Sequence, residues 1–273
     1  MSHAPRPITG VDTHAHVFAM DLPMTSGRRY SPDYDATLAA YIQHLDTHNF
    51  SHGVLIQPSF LGTDNSYMLD AVRQYSDRLK AVVVVEPNIS EPALEQLTRA
   101  GAVGARLNLI GKTPADYSQS EWQSFFKKLK QVGWSLEIHR HADDIADFVP
   151  AILESGVQVV IDHFGRPQGE LSPFFEGHRA FLELLDNEQL WVKVSAGYRN
   201  NTDLDAMQRM MKLLREAMGG VSRMLWGSDW PHTQFEEVTS YEAQYGIMEA
   251  LLADAEERKQ VLQDNPRSLF HLA

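Results

Sequence analysis

Three short runs hold the residues of this 273-residue chain best suited to chemistry: His14-Ala15-His16, Asp162-His163-Phe164-Gly165-Arg166 and Gly227-Ser228-Asp229-Trp230-Pro231-His232. Imidazoles, a carboxylate and a guanidinium gathered in one place suit hydrolysis of an activated carbonyl. The carboxylate takes a proton from water, and donors meet the charge that develops on oxygen. Each run closes a segment with the character of a β-strand, so a parallel sheet would carry all three to one edge.

Strand parity refines this picture. His14 and His16 are two apart and point to one face, and Asp12 shares their parity. Three inward polar groups in a row would be costly to bury without a function, although hydrogen-bonded core histidines are the plainer alternative. In segment 157–163, Val157, Val159 and Ile161 share the parity of His163, which places His163 inward and turns Asp162 toward a helix or backbone. In 223–229, Leu225, Gly227 and Asp229 share parity, leaving Asp229 as the carboxylate at the strand tip with His232 in the loop beyond. Segment 135–141 puts Glu137, His139 and His141 on one face. His139 is a further site candidate, one of the two histidines being a loop or helix-start residue. Arg106, Lys112, Arg166 and Arg199 recur at strand ends. Any one of them could be an ordinary surface charge. Several converging on one mouth predict a carboxylated substrate, because guanidiniums pair with carboxylates through two parallel hydrogen bonds.

Composition sets limits. Acidic residues outnumber basic ones 36 to 24, a formal charge of −12, which argues against nucleic acid or an anionic membrane as a partner of the whole surface. The absence of cysteine removes disulfides, thiolate zinc sites and thiol nucleophiles. Residues 1–7 lack the apolar core of a leader, and no apolar run approaches the roughly 18 residues that cross a bilayer. A cytoplasmic protein is the expectation.

The elements that must position these residues follow from periodicity. Strands are expected at 9–16, 53–58, 81–86, 103–109, 135–141, 157–163, 190–196 and 223–229. Helices are expected near 33–48, 64–77, 91–100, 120–132, 142–154, 173–186, 203–217, 240–252 and 255–270. Eight strands alternating with helices in a chain of this length predict a single-domain α/β protein spanning 1–273, a (β/α)8 TIM barrel. An open doubly wound sheet competes, but no glycine-rich phosphate turn follows the first strand. The long connection 17–32 carries Met20, Met24, Arg28, Arg29 and Tyr30 and reads as a lid or binding loop.

Val11-Asp12-Thr13-His14-Ala15-His16, Asp162-His163-Phe164-Gly165-Arg166 and Trp226-Gly227-Ser228-Asp229-Trp230-Pro231-His232 together resemble the amidohydrolase superfamily, and within it the lactonase branch. Arg29-Tyr30-Ser31-Pro32, the run from Gln57 to Asn65, and Gly104-Ala105-Arg106-Leu107-Asn108 are similar to that branch too. The resemblance implies a barrel enzyme that opens a cyclic ester such as a pyrone dicarboxylate. Asp229 would activate water, while His14, His16 and His163 polarise the carbonyl. Tyr30, Arg106, Arg166 and Arg199 would bind substrate, with His232 nearby. Lys112 stands where dicarboxylate-handling members carry a second arginine, and His139 where they carry a tyrosine. The wider superfamily binds a divalent metal, and His14, His16, His139, His163 and Asp229 are the full ligand set it implies. The basic residues favour metal-free lactone hydrolysis. A zinc-dependent hydrolase or decarboxylase, and a non-catalytic barrel that binds a small acid, are the alternatives.

Overall fold

A computed structural model describes residues 6–273; residues 1–5, part of the stretch read for a leader, lie outside the described residues. Eight parallel strands follow one another around a sheet: β1 Val11–Ala15, β2 His52–Ile56, β3 Leu79–Val83, β4 Ala102–Asn108, β5 Ser135–His139, β6 Val159–Ile161, β7 Leu190–Lys193 and β8 Met224–Leu225. The sheet closes where the chain beyond β8 meets β1, through Thr13 N to the Trp226 carbonyl at 3.0 Å and Asp229 N to the His14 carbonyl at 2.8 Å. This is the expected (β/α)8 barrel. Gly227 makes the closure possible, since a Cβ there would lie 2.5 Å from both the Cβ and the backbone nitrogen of His14.

Helices α1 Leu38–Thr47, α2 Ser66–Gln74, α3 Glu91–Arg99, α4 Ser120–Gln131, α5 Val149–Leu153, α6 Glu176–Leu184, α7 Leu204–Met218 and α8 Tyr241–Leu251 surround the sheet. Caps set several starts: Thr37, Ser90, Asp203 and Ser240 each accept from the backbone N–H three residues on. Two expected helices differ. The one expected over 142–154 contracts to α5, because Pro150 lacks an N–H and is tolerated only in a first turn. The one expected over 255–270 divides into α9 Ala255–Lys259, a wide turn Gln260–Asp264 and α10 Asn265–Leu269, with Pro266 in the first turn of α10.

The barrel interior has two layers. At the N-terminal ends of the strands Val11, Val54, Val82, Val103, Val160 and Leu225 pack with Leu269 and Phe270 of the C-terminal segment. Above them lie charged and polar side chains, described below. The outer faces of the strands, including Ala15, Leu55, Val159 and Ile161, pack against the helices. No helix among the described residues is long and apolar enough to cross a membrane.

Candidate active site

Asp229 stands at the centre of the C-terminal mouth. Its backbone is in the left-handed region at φ 59°, and its side chain is 1% exposed. Oδ2 accepts from the Tyr198 hydroxyl and from Nε of Arg199. Oδ1 has no hydrogen-bond partner. Facing it are three imidazole nitrogens: Nε2 of His14 at 3.7 Å, of His16 at 3.8 Å and of His163 at 3.9 Å. Burial alone would raise the Asp229 carboxyl, but the Arg199 guanidinium on its Oδ2 outweighs it and holds the group well below the usual carboxylate range. A carboxylate so held, with one oxygen free, is placed to accept a proton. Burial pushes the imidazoles the other way, His16 down to about 4 and His163 down to about 3, so all three are neutral in the ordinary working range.

The histidines reach this point by different routes. The β1–β2 register shifts between Asp12 and Ala15, so Asp12 leaves the parity of His14 and His16. Its carboxylate faces α8 instead, accepting from Ser228 N at 2.8 Å, Ser228 Oγ at 2.7 Å and Tyr241 OH at 3.2 Å. The parity expected for the sixth strand is reversed. Val159 and Ile161 face the helices, and Asp162 is buried inside the barrel, accepting from Arg106 Nη2 at 2.9 Å. His163 then turns inward because its own backbone is left-handed, at φ 53°, a change that strict alternation cannot express.

His16 donates from Nδ1 to the Ile56 carbonyl at 2.7 Å. A neutral imidazole has one hydrogen, so its Nε2 presents a lone pair. So arranged, His16 presents an acceptor to the cavity, whereas polarising a carbonyl oxygen calls for a donor. His163 Nδ1 lies 3.0 Å from Ser195 Oγ. His139 does not join the group around Asp229. It lies between two guanidiniums, Arg166 Nη1 2.8 Å from Nε2 and Arg106 Nη2 3.2 Å from Nδ1, and with its single lone pair a neutral ring accepts from one of them. His141 donates from Nδ1 to the Arg166 carbonyl at 2.8 Å and takes no place in the cavity lining.

Arg29, Tyr30, Arg106, His139, Arg166 and Arg199 line the cavity above Asp229. Their charges are not equally engaged. Arg106 pairs with Asp162 and Glu137, and Arg199 pairs with Asp229. Arg166 has no acidic partner among the described residues. Its contact is His139, its Nε is unpartnered, and burial together with Arg199 pushes its guanidinium down to about 10. An anion placed there would relieve that stress. Tyr30 donates to Glu236 Oε1 at 2.7 Å. Lys112 is exposed and lies outside the cavity lining; Arg29, from the long loop, supplies a cation in that quarter, held by Asn108 Oδ1 at 3.3 Å. His232 is also outside the lining, behind Tyr198 with ring centroids 5.9 Å apart.

A second buried shell escaped the parity reading. Glu137 on β5, Lys193 on β7, Asp162 and Arg106 lie within the barrel, none more than 4% exposed. Two cations and two carboxylates removed from water cost several kcal/mol per ion unless they are closely paired, so this shell is an expensive foundation laid directly beneath His14. A lysine amid the apolar run 190–196 was the legible signal. Tyr198 carried no signal stronger than loop position, and Arg29 was marked only by the motif it opens, without a role of its own.

His14, His16 and Asp229 form one group of ligand atoms close enough to hold a cation, and His14, Asp162 and His163 form another. The first fits a divalent ion in position: His14 Nε2 and Asp229 Oδ1 are both buried without partners, and His16 offers a lone pair. The five-residue set does not assemble among the described residues, because His139 brings no ring nitrogen into either group.

The profile of the family described as Amidohydrolase matches residues 11–272. A crystal structure from Acinetobacter baumannii, described as a probable 2-pyrone-4,6-dicarboxylic acid hydrolase with citric acid bound, is 38% identical, superposes with a TM-score of 0.92 and covers 97% of this chain and 100% of its own. The 4-sulfomuconolactone hydrolase of Hydrogenophaga intermedia is 28% identical over 95% of this chain and 88% of its own length. A 2-pyrone-4,6-dicarboxylate hydrolase of Comamonas testosteroni is 27% identical over 97% and 90%.

Proposed function

The chain belongs to the amidohydrolase family, and we propose that it is a lactone hydrolase acting on carboxylated rings, of which 2-pyrone-4,6-dicarboxylate is the type. That it is an enzyme of the lactone-opening kind accords with its relatives, which are named for 4-sulfomuconolactone and 2-pyrone-4,6-dicarboxylate hydrolysis. The observation that carries the mechanism is the unpartnered Oδ1 of an ionised Asp229, set among three Nε2 atoms beneath a mouth lined by arginines.

A water seated between Asp229 Oδ1 and His16 Nε2 donates a hydrogen to each acceptor and turns a lone pair toward the lactone carbonyl. Asp229 takes the proton as the C–O bond forms. His14 and His163 are the imidazoles free to donate to the developing oxyanion. Collapse of the tetrahedral adduct breaks the ring C–O bond, and the proton held by Asp229 passes to the departing oxygen. One water is consumed; one carboxylate, one hydroxyl or enol, and the proton lost by the new carboxylic acid are released. Arg166, with no acidic partner of its own, and Arg29 receive substrate carboxylates, so ring charge selects the substrate. The citric acid held by the Acinetobacter relative is consistent with a polyanion site.

Members of this family often bind metal. A divalent ion would be held by His14, His16 and Asp229, and would supply Lewis acidity and a bound water of lowered pKa. Assaying lactones with zero, one and two carboxylates, each with and without a chelator, tests both parts. Turnover is expected to rise with carboxylate number and to survive chelation. Turnover confined to neutral lactones would refute the substrate class, and activity lost on chelation and restored by zinc would refute the metal-free mechanism.

A further inference from the structure

Lys193 is fully buried in the barrel, directly beneath the catalytic group. Its ammonium has three hydrogens and three partners: Glu137 Oε2, the Thr13 carbonyl at 3.0 Å and His14 Nδ1 at 3.0 Å. An ammonium only donates, so the third contact requires a lone pair on His14 Nδ1. A neutral imidazole with its lone pair at Nδ1 carries its hydrogen at Nε2. The oxygens that could instead accept from Nδ1 are more distant, Asp162 Oδ1 at 3.4 Å and Glu137 Oε1 at 3.5 Å. A ring that faces an ammonium through Nδ1 has no hydrogen there, so its contacts decide which nitrogen is protonated. His16 is arranged oppositely, with its hydrogen committed to Ile56 and its lone pair in the cavity.

We propose that Lys193 is a positioning residue that fixes His14 as its Nε2–H tautomer, so that His14 and His16 present one donor and one acceptor to the space in front of Asp229. This builds on the lactone hydrolysis proposed above, because the His14 N–H then points where a carbonyl oxygen would develop charge. It also separates two chemistries that the same three side chains could support. An N–H cannot ligate a metal. For an ion to bind His14 Nε2, the hydrogen must leave or move to Nδ1, where it would meet an ammonium. Lys193 therefore biases a site that is positioned for a divalent ion toward metal-free use.

The test uses the full chain with 15N-labelled histidine, stripped with a chelator, and long-range 1H–15N correlation spectra at pH 7. His14→Gln identifies the His14 signals. The expected result is hydrogen on His14 Nε2 in the parent protein and on Nδ1 in Lys193→Met. In equilibrium dialysis against zinc with elemental analysis, Lys193→Met is expected to bind at least ~10-fold more tightly than the parent, or about 1.4 kcal/mol. If Lys193→Met fails to fold because Glu137 loses the ammonium on its Oε2, Lys193→Met/Glu137→Gln removes both charges and carries the same expectations. Hydrogen on Nδ1 in the parent, an unmoved tautomer in the variant, or equal zinc affinity would each overturn the proposal. Neither readout involves a lactone. A protein that opens no lactone yet shows the Nε2–H tautomer sinks the proposed function alone, whereas hydrogen on Nδ1 in a protein that opens lactones sinks this assignment and leaves His163 as the donor to the oxyanion.

Discussion

Arg166→Met isolates the recognition of substrate charge. Of the cavity-lining arginines, Arg106 and Arg199 are tied to buried carboxylates, so removing either leaves an unpaired charge and costs about 3–5 kcal/mol of stability. Arg166 has no such partner among the described residues; its contact is the neutral ring of His139. Its removal should leave folding free energy within about 1 kcal/mol of the parent. A hydrogen bond to a charged group contributes about 1.5–3 kcal/mol. If Arg166 makes one to a substrate carboxylate, KM for a carboxylated lactone should rise roughly 10- to 150-fold at 1.4 kcal/mol per decade. The same ring without its carboxylates should lose less than about threefold in kcat/KM, because no charge-assisted bond is removed. Initial rates for the matched pair, with unfolding curves for both proteins, provide the measurement. Equal losses for charged and neutral rings at unchanged stability would refute the assignment, since Arg166 would then act on the chemical step rather than on substrate charge.

Other outcomes follow from the same geometry. Because His16 and His163 sit at about 4 and about 3 when folded, below the ordinary 6.5, the unfolded chain binds protons that the folded chain refuses. Their contribution is therefore fully present above pH ~6.5 and is lost as pH falls toward 4, at about 1.4 kcal/mol per pH unit for each ring. Urea unfolding across pH 4–8 measures this, and kcat/KM should show no limb centred near 6.5; such a limb would mean an imidazole titrates during catalysis. Lys112→Ala should leave kcat/KM for a carboxylated lactone within about threefold, whereas Arg29→Ala should raise KM about tenfold, the loss of one charge-assisted contact. The reverse order would restore Lys112 to the site.

The barrel was legible because eight strand-like runs separated by helical ones leave few topologies, and each strand surfaced within a few residues of its expected place. Side-chain direction was less legible. Parity counting assumes uninterrupted alternation, and the register shift after Asp12 and the left-handed backbone at His163 break it on either side of the residues that matter. Asp162 consequently looked like an outward group when it anchors Arg106 from within. Lys112 and Arg29 show another limit. Which of two loop cations reaches a mouth depends on how the connecting segments fold back, and no local pattern encodes that. The polar shell beneath His14 could have been suspected from Lys193, since a lysine inside an otherwise apolar strand needs a buried partner.

Everything chemical in this barrel turns on the free oxygen of Asp229, and Asp229→Asn tests it most directly. The change keeps shape and removes the base, while Arg199, released from its carboxylate partner, leaves the cavity at least as attractive to anions. Rapid-mixing single-turnover measurement with a carboxylated lactone, beside calorimetric binding of the same ligand, should show the chemical step slowed about 10²–10⁴-fold with affinity kept or tightened. Turnover within tenfold of the parent would contradict the mechanism, because water would then be activated elsewhere.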